Sequence, residues 1–554
     1  MKTRVRDIVE QGNRLFEKRR PMLSLWQTMA ENFYPMRADF TRPRQAGEEF
    51  ASHLMTGKPV LAHRDLGNAL SSMLRPRGQT WFHARTDDEA INADARCKQF
   101  LDSLSEAMRR LMYDKRAQFV RATKQGDHDF VAFGQTVIEP LPNRDQDGIL
   151  FRNHHLKDVV WCENAELEID LLHREWKLEA RQLAKVFPAS VHQSVREAAK
   201  KTPYREFKCR HIVMPADDYD LAGEGGYGNK QLFPFVSIHV DCENEIVLEE
   251  VPRKRLGYVI PRWVTVSGSQ YAHSPATVTA LPDARMLQQI TLTLLEAGQK
   301  AVDPPLKATK EAIQGGVNAF AGGLTWVDAE YDEKLGAAIE PLMDVSKGFP
   351  VGHAREDKIE SLIAEAFFLN QIRMPAPDGK QRTAYEVQTL FEDYIRQALP
   401  LFEPMELEYN GGLCEETFNL GMDFGAFRSF EDMPQELRGR DVRWQFESPL
   451  QAANERAKAQ AFVESTQLLA TAAQIDPNVQ FDFNLDTAFR DALAGVSPAS
   501  WIVPREDADA ARAQTAQMLG AAAAAQALAQ GAQGIEAATK MGGAVETMKR
   551  AGVV

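Results

Sequence analysis

The stretch from Arg262 to Leu306 constrains this chain more than any other, because it holds a long helix with both ends legible. Pro282 stands where a first helical residue belongs, since its missing N–H is an orphan at that position. Asp283 follows in the first turn, where a carboxylate favours the helix dipole. Met286, Leu287, Ile290, Leu294, Ala297 and Ala301 then recur at helical spacing on one face. Pro304 and Pro305 remove donors and close the helix. Residues 282–301 therefore span about 30 Å at the standard rise. By periodicity alone this is an amphipathic core helix.

With 44% hydrophobic and 26% charged residues over 554 positions, the chain is of the folded kind. That length suits three or four ordinary domains, or one elongated subunit with several lobes. No run approaches the roughly 18 uninterrupted apolar residues of a membrane-spanning helix. Lys2, Arg4, Arg6, Asp7 and Glu10 leave no apolar core for a secretory signal. Cys97, Cys162, Cys209, Cys242 and Cys414 are scattered without metal-ligand spacing, as reduced thiols in a cytosolic setting would be. A net charge of −13 argues against a protein that grips DNA over its whole surface, because such affinity comes from Lys and Arg displacing counterions. It suits a surface that DNA passes without sticking.

In chain order, residues 1–35 read as helix broken near Arg20-Pro21, with Trp26, Met29, Ala30 and Phe33 on one face. Lys18, Arg19 and Arg20 form a basic cluster that reads as a solvated helix end or as a nucleic-acid contact. A helix over about 59–74 buries Ala62, Leu66, Ala69, Leu70 and Met73, and Arg75-Pro76-Arg77-Gly78 breaks it before a strand starting at Trp81-Phe82. Another helix spans Ala95–Met112. Short β-prone segments follow at Thr136–Glu139, Leu150–Arg152, Arg210–Met214, Phe233–Val240, Ile246–Glu250 and Trp263–Val266, with helices at Leu178–Val186 and Ser190–Lys200 between them. The first 281 residues thus form one α+β lobe.

Beyond the long helix, residues 302–352 are punctuated by Gly and Pro, and a second helix covers about His353–Asn370. Residues 371–382 form a polar loop that ends at Thr383-Ala384-Tyr385-Glu386, a capping box. A strand is expected within 437–450, returning to the main lobe, and helices at 451–474 and about 484–494. After Arg505 the chain turns rich in Ala and Gln, which offers a helix little to bury.

Tyr271, Ser274-Pro275, Ala280-Leu281-Pro282-Asp283 and Asp303-Pro304-Pro305, in that order, resemble the head-to-tail connector (portal) proteins of short-tailed bacteriophages. There a YG-x-SP turn and an ALPD start lead into the first stem helix. Ala272-His273 replaces the expected Gly-Arg. The TA-x-EV pattern of that family recurs as Thr383, Ala384, Glu386 and Val387, and the order of helix, Pro and Trp81-Phe82 is similar too.

The resemblance implies a helix-rich α+β subunit with wing, stem, clip and crown regions, assembling into a dodecameric ring. On this chain it implies a wing over 1–281, a first stem helix over 282–301, a clip over 302–352 and a second stem helix over 353–370. A channel loop would follow over 371–382, then a long wing helix and returning strand over 383–450, crown helices over 451–511 and a tail over 512–554. Assembled in the host cytoplasm, the ring would sit at one capsid vertex of the virion. It would pass double-stranded DNA without sequence specificity, and meet a terminase, a tail adaptor, and the major capsid and scaffolding proteins. No membrane, metal or cofactor is implied. Arg373, Lys380 and Arg382 would face the DNA from the channel loop, where the alternative is a solvent-exposed turn. Asp328, Glu330, Asp332 and Glu333 would lie on the clip, where partners dock.

The motifs of common enzymes are absent. Gly223-Glu224-Gly225-Gly226-Tyr227-Gly228 fits G-x-G-x-x-G, but Asp217-Asp218-Tyr219-Asp220 precedes it and a β-prone run follows, so it reads as a loop. Gly57-Lys58 is followed by Pro59, and no Walker A phosphate loop occurs, which disfavours a DNA-packaging ATPase. Neither a zinc-protease helix nor a nucleophile elbow is present. Asp127-His128-Asp129 and His154-His155 hold ligand types, but neighbours in a strand point to opposite faces, so no metal centre is expected. The remaining alternative is another ring-forming protein of the neck or tail.

Overall fold

The computed structural model describes residues 2–45, 47–77, 80–220, 232–302, 349–372, 405–427, 433–446, 461–471 and 483–496, with short pieces at 306–308, 339–341 and within 508–518 and an isolated residue at 459. They fall into two compact units. The first comprises Met1–Trp81 with Ala107–Phe427, the second Phe82–Glu106 with Arg428–Val554.

Helices α1 (Lys2–Lys18) and α2 (Arg20–Phe33) open the first unit, with Pro21 in the first turn of α2. Helix α3 (Lys58–Leu74) follows. Strand β1 (Phe82–Arg85) and α4 (Glu89–Ala93) belong to the second unit, and α5 (Ala95–Met112) has the bounds expected from its periodicity. Then come α6 (Phe119–Phe133), which the sequence reading passed over, and the hairpin β2 (Val137–Pro142) and β3 (Ile149–His154).

An antiparallel meander of five strands dominates the first unit: β4 (Val159–Glu163), β5 (Ile169–Glu179), β6 (Glu206–Pro215), β7 (Phe235–Asp241) and β8 (Ile246–Arg253). Helices α7 (Ala180–Val186) and α8 (Gln193–Lys201) connect β5 to β6, and α9 (Ala216–Asp220) follows β6. Side chains alternate across the sheet, so Ile212, Met214, Val236, Ile238 and Val240 meet Val5 and Ile8 of α1 on one face. Leu172 and Val213 on the other face join Trp26, Phe133, Trp161 and Tyr271 in the main core. No strand forms at Trp263–Val266, where only an isolated bridge joins Val264 to His273.

The basic cluster at 18–20 divides. Lys18 and Arg20 stay exposed, but Arg19 is 1% exposed and donates to the Leu156, Lys157 and Val159 carbonyls. Its guanidinium caps the turn before β4, which removes it as a nucleic-acid contact.

In the second unit β1 pairs antiparallel with β11 (Arg443–Phe446), matching Ala84 to Trp444. Ala84, Cys97, Leu101 and Leu437 form its core, flanked by Phe100, Leu104 and Trp444. Residues 82–106 thus group with 428–554, and the strand expected within 437–450 forms at Arg443–Phe446, paired with Phe82–Arg85 of the range 1–281. Helical residues 461–471 and Leu485–Val496 match the expected pair near the C-terminal end.

Candidate functional site

The long helix, α10, runs from Pro275 to Val302, so it starts seven residues before the expected Pro282. Ser274 supplies the cap: its Oγ accepts from the Thr277 N–H at 3.3 Å and donates to the Val131 carbonyl at 2.6 Å. Such a cap contributes about 1 kcal/mol, and Pro275 takes the first helical position that suits its missing N–H. Pro282 is interior, leaving the Val278 carbonyl without its helical donor, and both residues are exposed. Over 28 residues the helix reaches about 42 Å.

Its root is fixed by close backbone approach. A Cβ on Gly134 would lie 2.2 Å from the His273 carbonyl carbon, and Gly134 has φ +75°, so glycine alone fits there. Ala276, Ala280, Ala284 and Leu287 are fully buried against Phe33, Leu66, Leu70, Phe130 and Val131. Further along, burial fades: Leu295 is 53% exposed and Val302 89%.

Helix α11 (Phe349–Ala366) packs antiparallel to α10, with Thr291 donating to Glu356 at 2.8 Å and Gly352 set against Leu294. Between the two, β9 (Leu306–Ala308) and β10 (Ile339–Pro341) pair antiparallel, Lys307 opposite Glu340. Gln288 braces this helix pair: it accepts from the Met55 and Thr56 amides at 2.6 and 3.0 Å and donates to the Thr56 carbonyl at 2.9 Å. Lys58 pairs with Glu360 at 2.7 Å. Nothing in the periodicity pointed to Gln288 or Gly134. Ser274-Pro275 did carry a cap signal, which the later Pro282 masked. Helix α11 ends at Ala366, and Phe368 adopts φ +55° before the short α12 (Leu369–Ile372).

Of the residues expected to act, Arg373, Lys380, Arg382, Asp328, Glu330, Asp332 and Glu333 lie outside the described residues. So do the capping box at Thr383–Glu386 and the loop at Gly223–Gly228. Asp127, His128, Asp129, His154 and His155, by contrast, occupy a polar interior. Asp127 pairs with Arg75, and Asp129 accepts from Arg37 at 2.8 and 3.1 Å and from Asn153 at 2.7 Å. His154 binds Glu139 at 2.8 Å and His155 binds Asp39 at 2.6 Å. Among the described residues no group of three or more His, Cys, Asp or Glu could hold a metal ion.

One buried cluster has the outline of a nucleophile and its base. His211 Nε2 lies 2.8 Å from Ser237 Oγ, while its Nδ1 lies 2.6 Å from Tyr258 Oη and 3.7 Å from Glu139. Burial alone would raise the Glu139 carboxyl, but the hydrogen bond from His154 and the Arg174 charge hold it well below the usual range. Burial likewise drives His211 well below its ordinary value. Ser237, His211 and Glu139 are each at most 2% exposed, so no substrate reaches them. The arrangement pins strands β2, β5, β6 and β7 together.

A family model for the bacteriophage head to tail connecting protein matches residues 6–501. The probable portal protein of Bordetella phage BPP-1 is 24% identical over 555 residues, covering 98% of this chain and 96% of that one. The portal protein of Salmonella phage epsilon15 is 21% identical over 484 residues, covering 85% and 84%. The virion structure of a native gene transfer agent particle superposes loosely, with a TM-score of 0.36 at 10% identity, covering 81% of this chain and 95% of that one.

Proposed function

This chain belongs to the bacteriophage head to tail connecting protein family, and from that premise we propose how its parts are used. It is a portal subunit of the virion, joining head to tail in a ring through which viral DNA passes. Its role is structural; we infer no catalytic activity, and the nucleophile-like cluster found among the described residues is sealed in the core. The observation that carries the reading is the antiparallel pair α10 and α11 on its glycine-fitted root, with apolar residues left exposed on it at Leu295, Val302, Val351 and Leu362. In a ring, such residues pack against neighbouring copies.

We take α10 and α11 as the stem, the segment between them as the clip, and the stretch after α12 as the channel loop. Residues 383–450 serve as wing helix and strand and 451–511 as crown, in a dodecamer that meets a terminase during packaging and a tail adaptor afterwards. Arg373, Lys380 and Arg382 contact phosphates from the channel wall without reading sequence. Changing all three to Ser is expected to leave rings with a central hole on electron-microscope grids and to alter DNA retention or packaged length. Packaging and retention equal to wild type across ionic strengths would remove the assignment.

The acidic residues Asp328, Glu330, Asp332 and Glu333 form the clip's docking surface. Their exchange for Lys is expected to impair terminase and adaptor docking in pull-downs while rings persist. Undiminished docking would sink that role.

A further inference from the structure

We infer that the connection between β5 and β6, built on α7 and α8, is a cationic surface that holds the phosphate backbone of double-stranded DNA on the outside of the ring. Residues 177–208 contain eight bases (Lys177, Arg181, Lys185, Arg196, Lys200, Lys201, Arg205 and Lys208) against the three acids Glu179, Glu197 and Glu206. That is a surplus of five positive charges in a protein of net charge −13. All eight bases are exposed, whereas Glu179 is half-buried.

The fold brings these charges together. The Ala180 and Arg181 amides donate to the Arg205 and Pro203 carbonyls at 2.8 and 3.2 Å, so the start of α7 lies beside the end of the connection. Arg181 also stands 5.9 Å from the ring centre of Tyr204, which is itself 70% exposed. Arg181 and Lys185 are one turn apart on α7, Arg196 and Lys200 one turn apart on α8, and the two helices share the core of Leu183, Val195 and Ala198.

Folding alone does not ask for this. Lys177 stands directly across from Lys208 in the β5–β6 register, a like-charge pair that destabilises a sheet. Acids temper part of the patch: Lys177 meets Glu206 at 3.4 Å, Lys208 meets Glu175 at 2.9 Å and Arg205 meets Glu243 at 3.2 Å. Arg196 is spent on the Pro188 and Ala189 carbonyls. Arg181, Lys185, Lys200 and Lys201 have no acidic partner among the described residues. The helix dipole favours bases in the last turn of a helix, which suits Lys185, Lys200 and Lys201. It gives no reason for Arg181 at the first turn of α7, where the dipole opposes a cation.

Exposed, unpaired cations at spacings of a helical turn suit a polyanion of repeating charge. Naming that polyanion as DNA rests on the portal reading, which puts DNA within reach of the protein. The probe is a small covalently closed duplex circle added to preassembled rings, because a closed circle cannot thread a channel. Binding is read by fluorescence anisotropy over a salt series, for wild type and for the quadruple variant Arg181→Glu, Lys185→Glu, Lys200→Glu and Lys201→Glu. Each lost phosphate contact should flatten the slope of log affinity against log salt by about 0.9, and loss of all four by roughly three to four units.

A quadruple Gln variant, gentler on folding, should give the same direction, with an unchanged circular dichroism spectrum. Slope and affinity equal to wild type in both variants overturn the proposal. So does wild-type binding to poly-glutamate in preference to the circle, which would make the partner an acidic protein. Rings with a central hole on grids report separately on the portal reading, so the two can fail independently.

Discussion

Replacing Asp127 with Asn is expected to destabilise the first unit by about 3–5 kcal/mol, the usual cost of stranding one member of a buried ion pair. Arg75 is only 4% exposed and Asp127 is fully buried, and Arg75 also donates to Asn410 Oδ1 at 2.8 Å. Its guanidinium lies 4.6 Å from the ring centre of Tyr409. One side chain therefore ties the residue after α3 to the middle of α6 and to the π-turn Glu406–Gly411. With the carboxylate gone, the cation stays buried with a neutral partner. Guanidinium unfolding followed by tryptophan fluorescence measures the loss. The double variant Arg75→Met with Asp127→Leu should recover most of it, because apolar side chains of similar volume often match a buried pair. An Asp127→Asn loss under about 1 kcal/mol, or a double variant as weak as the single, contradicts this account.

The second large effect is acid lability that begins above the carboxylate range. Burial pushes His63 and His173 down to about 3, and burial together with the Arg174 charge lowers His239 to about 4. The unfolded chain binds protons at these sites near pH 6.5, while the folded chain refuses them until far lower. Stability is therefore complete above about pH 6.5 and is lost as the pH falls toward the folded values. Each histidine removes about 2 kcal/mol between pH 7 and 5, on the order of 6 kcal/mol for the three. Asp158, Asp170 and Glu416 are raised by burial, so protonation favours their folded state and offsets part of the loss. Melts at pH 7, 6 and 5 should descend steadily, and His63→Gln should flatten the descent. A melting temperature constant down to pH 5 would show that these imidazoles take up protons in the folded protein as readily as in the unfolded chain.

What could be read from the sequence was the part where side chains obey one local rule. Helix α5 repeats its apolar residues cleanly, and its bounds emerged unchanged at Ala95 and Met112. Helix α6 was invisible because its middle, Gly126-Asp127-His128-Asp129, is polar yet buried. Asp127 and Asp129 find their partners in Arg75, Arg37 and Asn153, which are remote in sequence. Strand β5 hid for the same reason: His173 and Arg174 interrupt the alternation, and Arg174 finds its partners in Tyr258 and Glu139. Long polar stretches satisfied by tertiary contacts carry no periodic signal. The order of motifs around α10 did carry through to the family. The start of α10 did not, since two prolines competed for it and the cap lay with Ser274 before Pro275.

Strand β1 also sets a clock for synthesis. It leaves the ribosome as Phe82–Arg85, but its partner Arg443–Phe446 follows only after about 360 further residues, which take roughly 18–70 s at 5–20 residues per second. For that interval Phe82 and Ala84, fully buried at the end, have no strand to pair with. The second unit is therefore the last part of each subunit to become foldable. A chain interrupted before residue 443 leaves an open apolar edge, the kind of surface that chaperones hold and that aggregation exploits.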